Sequence, residues 1–123
     1  MDAASKFKKE VKNLQAYLVL VTVNAKIYQK SNLKILNFLV NEQKTPGVYV
    51  TLNKPFDVMQ TLLKENKIDD RLIIFIDGIT NADESKKRVK NCLFIGSPEK
   101  LSDISVAMDQ AVKALPTKEK FIF

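Results

Sequence analysis

Short apolar runs alternate along this chain with stretches whose apolar residues recur at helical spacing, and that alternation restricts it to very few folds. The runs are Tyr17–Val23, Val48–Leu52, Leu72–Ile76 and Leu93–Ile95, and Phe121-Ile-Phe123 reads as the beginning of another. They are rich in Val, Ile and Leu and are continuous, the pattern of strands buried on both faces. Between them, Leu33, Leu36 and Val40 share one helical face over Asn32–Asn41, with Ser31 or Asn32 available to cap its start. Phe56, Met59 and Leu63 do the same after Asn53-Lys-Pro55 and up to Asn66, and Pro55 suits a first helical turn. Ser97-Pro-Glu99 opens a last helix carrying Leu101, Ile104, Met108, Ala111 and Leu115 on its buried face, and Pro116 stops it. The expected fold is therefore α/β: a three-layer α/β/α arrangement on a mostly parallel, twisted sheet of about five strands.

Residues 1–15 stand apart as a basic N-terminal helix over Ala3–Leu14. Phe7, Val11 and Leu14 lie on one face, and Lys6, Lys8, Lys9 and Lys12 mostly elsewhere. Residues 16–123 read as a single α/β domain; 123 residues are enough for one core and not for two. Asn81–Lys90 has no apolar period and reads as an exposed loop, which leaves the direction of the strand near Cys92 open.

Composition narrows the function. Hydrophobic residues form 46% of the chain, which is globular rather than disordered in type. No run approaches the length of a membrane helix, so no membrane partner is expected. Met1-Asp-Ala-Ala-Ser-Lys lacks the apolar core of a secretion signal, which makes the cytoplasm the expected location. There is no histidine and only one cysteine, Cys92, inside an apolar run. That combination argues against a Cys–His nucleophile, a zinc site and an internal disulfide. No cofactor and no metal are expected.

Asn24-Ala-Lys-Ile-Tyr-Gln-Lys30-Ser31 lies between a strand-like and a helix-like run. A phosphate-binding loop, G-x-x-x-x-G-K-S/T, stands in such a place, because its glycines let backbone N–H groups curl around phosphate oxygens. Here Lys30 and Ser31 keep the ending, while Asn24 and Gln29 occupy the glycine positions. Ile27 and Tyr28 fill the middle with bulk, so a snug anion nest is not expected.

With these residues in view, the chain resembles the RecA-like ATPase core in its KaiC-type branch, and more loosely uncharacterised archaeal proteins that carry this core with a decayed phosphate loop. Tyr17–Val23 resembles the strand before the loop, and Lys30–Asn41 the loop end and its helix. Gly47-Val-Tyr-Val-Thr51 resembles the second strand, Phe75-Ile-Asp77 the third, and Leu101–Leu115 the helix leading to the Walker B strand. The match covers residues 16 to 123 and rests on element order and apolar pattern. It implies a RecA-like fold. In the family the second strand runs into two glutamates, one of which activates the attacking water; Asn53 and Lys54 stand in their places. The Walker B aspartate follows a strand like Phe121-Ile-Phe123, and the sequence ends within that pattern, as a fragment or a shortened protein would. The resemblance thus implies a RecA-like domain without ATPase activity.

The expectation is a non-catalytic module that associates with itself or with another protein. A nucleotide-binding regulatory domain with a rebuilt site around Lys30, Ser31, Asp77 and Ser97 is the alternative; Asp77 also fits a simple turn with Gly78. The cluster Lys86, Lys87, Arg88 and Lys90 adds a third expectation, weak and salt-sensitive contact with nucleic acid, although Asp83 and Glu84 lie beside it.

Overall fold

The computed structural model describes residues 2–14, 16–80, 91–96 and 101–123. Helix α1 spans Ala3–Val11 and α2 spans Tyr28–Asn37, continuing into a wider π turn over Phe38–Glu42. Strand β1 (Gly47–Thr51) leads to α3 (Phe56–Glu65), and a short 3-10 turn at Asp70–Leu72 enters β2 (Ile73–Asp77). Then follow β3 (Cys92–Phe94), α4 (Leu101–Ala114) and β4 (Phe121–Ile122).

The described strands form one sheet in the order β3-β2-β1-β4. Every pairing is parallel, with Tyr49 beside Phe75, Phe75 beside Cys92 and Gly47 beside Phe121. The strand at Cys92 is thus a parallel edge strand. Helices cover both faces, as the alternation of the sequence requires. Tyr49, Ile73, Phe75 and Cys92 pack under α2 and α3 with Leu36, Val40, Phe56, Met59 and Leu63. Val48 and Ile76 face the other way, against Ala107 and Ala111 of α4. These small alanines bring α4 close to the sheet; they are its most buried described positions, while Ile104 and Met108 are half-buried.

Helix α1 docks on α2 rather than standing free. Ala4, Phe7 and Val11 close a cluster with Ile35 and Leu39. Asp2 caps α1 by accepting the Ser5 N–H at 2.7 Å, and its other oxygen meets Lys34 Nζ of α2 at 2.8 Å. Those bonds hold the Asp2 carboxyl well below its ordinary range, Lys34 contributing most. Leu14, expected on the buried face, lies past the end of the helix and is exposed.

The principal departure concerns Tyr17–Val23. The continuous apolar run was expected to be a buried strand, yet it lies extended outside the sheet and makes no backbone hydrogen bond with a described residue. Leu18 is 101% and Leu20 is 92% exposed. Four strands, not five, are therefore present among the described residues. The physical reason is that α1 and α2 bury their faces on each other, and the run between them reaches that cluster only through its alternate side chains. The Tyr17 ring meets Phe7 edge-on at 6.1 Å, and Val21 packs against the same cluster.

Candidate functional site

Parallel sheets gather their loops at the carboxyl ends of the strands, and the residues of interest converge there. Asn24 Oδ1 accepts the Lys26 N–H at 2.9 Å, and the Asn24 carbonyl accepts the Ile27 N–H at 3.0 Å. This local turn leads directly into α2, which begins at Tyr28, four residues before the expected start at Asn32. Lys30 and Ser31 consequently sit in the first turn of α2 rather than in front of it. The Ser31 N–H is already bonded to the Ile27 carbonyl at 3.0 Å; the residue is buried, whereas Lys30 is exposed.

The loop after β1 closes over this turn. Thr51 Oγ1 donates to the Lys54 carbonyl at 2.6 Å and accepts the Lys54 N–H at 3.2 Å, which folds the loop back on itself. Lys54 is thereby aimed at α2. Its Nζ donates to Gln29 Oε1 at 2.6 Å and lies 4.7 Å from the centre of the Tyr28 ring. Asn53 Nδ2 reaches the Tyr28 hydroxyl at 3.5 Å. Between Tyr28, Asn32, Tyr49 and Lys54 there remains a cleft of about 10 Å³, scarcely room for one water. Burial first, then the neighbouring Tyr28, pushes the Tyr49 hydroxyl up to about 12, so it stays neutral; the nearby Asn32 side chain pulls the other way.

Asp77 is wholly buried at the end of β2. Its Oδ1 accepts the N–H groups of Ile79 and Thr80, both at 2.8 Å. Its Oδ2 accepts the Phe56 N–H at 2.9 Å and the Thr80 hydroxyl at 2.7 Å. Four donors match the four acceptor sites of a carboxylate. Burial raises its pKa, but the bonds from Thr80, Phe56 and Ile79 outweigh that and hold it low. Asp77 therefore supplies the cap that Pro55 cannot give to α3, and ties β2 to that helix.

The structure thus brings the start of α2 onto the β1 loop, through Tyr28, Gln29, Asn53 and Lys54. Neither Lys30 nor Ser31 makes a hydrogen bond or ion pair with Asp77 among the described residues. The partnership of Tyr28 with Lys54 was not foreseen; the only sequence signal was the bulk of Tyr28 where a loop needs small residues. Lys86, Lys87, Arg88 and Lys90, and the helix start at Ser97–Glu99, lie outside the described residues. Of the α1 lysines, Lys8 pairs with Glu42 at 3.1 Å and lies over the Phe38 ring, while Lys6, Lys9 and Lys12 are exposed. Burial, with the nearby Asp77 charge, pushes the Cys92 thiol up to about 12, where it is inert. Among the described residues no group of three or more acidic or Cys side chains could hold a metal ion, and no helix is long and apolar enough to cross a membrane.

Comparison with protein-family models, curated proteins and solved structures finds no match to this chain.

Proposed function

We propose that this chain is a RecA/KaiC-like domain that works by protein association and does not hydrolyse ATP, with Tyr17–Val23 serving as the fifth strand when the domain associates. The observation that carries this reading is the filled crevice. Gln29 and Tyr28 stand on the loop side, and Asn53 and Lys54 stand where the family's glutamates would be. These four side chains bond to one another and leave a cleft of about 10 Å³. A nucleotide-sized ligand needs a cleft of roughly 300 Å³ or more. A cation at position 54 and an amide at position 53 offer neither a general base nor a carboxylate for magnesium. Among the described residues the fold leaves available a wide, open cleft of about 350 Å³ between β3 and α4, and exposed surface whose barest part is the apolar run before α2.

The test pairs two measurements on the wild-type chain. Calorimetry with ATP and magnesium should give no heat of binding tighter than the millimolar range. Light scattering across a dilution series should report self-association, or a specific partner should be recoverable. Micromolar ATP binding that Lys30→Ala abolishes would instead establish the nucleotide-binding alternative. A gel shift at low salt that disappears at moderate salt would support the nucleic-acid alternative.

A further inference from the structure

We infer that the partner is a second copy of this chain, and that the seam pairs Tyr17–Val23 of each copy with the free edge of β4 in the other. This rests on the association reading above. The run carries seven residues without a charge, glycine or proline, rich in Val and Leu, which is the composition of a strand seeking an edge. It is already extended, with its side chains sorted by period two. Tyr17 and Val21 rest on the α1–α2 cluster, whereas Leu18 and Leu20 stand in solvent. No described residue receives its backbone hydrogen bonds.

The edge it needs is present on the same molecule. The Phe121 and Phe123 N–H groups donate to Pro46 and Val48 carbonyls of the β1 side at 3.1 and 2.8 Å, and the Phe123 carbonyl accepts the Val50 N–H at 2.8 Å. Backbone groups alternate along a strand, so Ile122 turns its N–H and C=O away from β1, toward the open side. Ile122 is itself 53% exposed. Phe121 and Phe123 pack against the same cluster as Val21, yet the run and β4 stay unpaired within one chain. Tyr17 and Val21, seated on that cluster, hold the run where it lies.

Among the described residues each chain thus carries an unfilled strand and, at β4, an unfilled edge, so a reciprocal exchange between two copies satisfies both with two-fold symmetry. A foreign partner would fill only one of the two.

Two single-cysteine additions test the seam, Leu20→Cys in one preparation and Ile122→Cys in another. Buried Cys92 stays silent under mild oxidation. Mixing the two should give a disulfide-linked heterodimer faster than either forms with itself. The double variant Leu18→Lys with Leu20→Lys should weaken dimerisation at least about tenfold by light scattering, a loss of about 1.4 kcal/mol. Its circular dichroism should stay unchanged, because both side chains are exposed in the single chain. A chain carrying both cysteines that cross-links only within itself overturns the exchange while leaving the association reading in place. A dimer that forms without any link between positions 20 and 122 overturns the seam but not association. A monomer at every concentration with no recoverable partner overturns both.

Discussion

At the scale of single residues, Asp77 has the largest structural consequence. Asp77→Ala would strand the Phe56, Ile79 and Thr80 donors in the interior and is expected to cost about 3 kcal/mol, read as a lower denaturation midpoint in urea. The pH dependence follows from the sign of its shift. Its folded pKa lies below the unfolded one, so its stabilisation is complete above the ordinary carboxylate range and is lost as pH falls through the folded value. Asp77→Asn should therefore flatten the acid limb of the stability curve as well as lower it. Cys92 makes the opposite prediction, one of silence. With its thiol pushed up to about 12 by burial, it should resist a thiol reagent at neutral pH until the protein unfolds. Gly47 shows how a residue without a side chain can be indispensable. A Cβ there would collide with the Phe121 ring, so Gly47→Ala should cost roughly 2 kcal/mol, through the β1–β4 pairing rather than the rest of the sheet.

Among the elements, α1 is held by few but well-buried contacts. Phe7→Ala removes the ring that meets both Tyr17 and Phe38, and should cost about 3 kcal/mol, with proteolysis around residues 12–16 much accelerated. The Tyr28–Lys54 contact is more modest. Lys54→Ala should cost about 1 kcal/mol and should not create ATP affinity, since the glycines of a nest would still be missing. The helices and the parallel sheet were legible because burial on one face imposes a period. The periods at Leu36–Val40 and Phe56–Leu63 survive in the core, whereas the buried face of α4 centres on Ala107 and Ala111, leaving the expected Ile104 and Met108 half-buried. Strand limits were legible to within a residue, as at Gly47–Thr51 and Ile73–Asp77. The start of α2 was not, because reading Lys30-Ser31 as the end of a loop placed the helix too late. Tyr17–Val23 was misplaced for a different reason. An apolar run states that burial is favourable, but whether a neighbouring strand lies beside it is decided by elements far away in the sequence. The cap provided by Asp77 was hidden in the same way, since its acceptor role depends on Phe56, a residue of another element.

Over the whole molecule, the sheet joins pieces that the sequence keeps far apart. β1 and β2 pair along their full length with only α3 and a short turn between them, whereas β1 meets β4 across most of the chain. Closing the longer loop has the greater entropic cost and gains fewer backbone bonds. The fold therefore acquires an order in time. The β1–α3–β2 unit can assemble early, and β4 joins afterwards, when Phe121 slides over the bare backbone of Gly47. Until then one side of Tyr49 has no cover, because Phe123 stacks on it at 5.3 Å only once β4 is seated. Amide exchange should record this history. The Val50 N–H, bonded to Phe123, should open more readily than the Phe75 N–H, bonded to Asn91 at 2.7 Å. A glycine placed beside a phenylalanine thus acts as a latch, and the half-assembled chain is the state in which a chaperone would find most to hold.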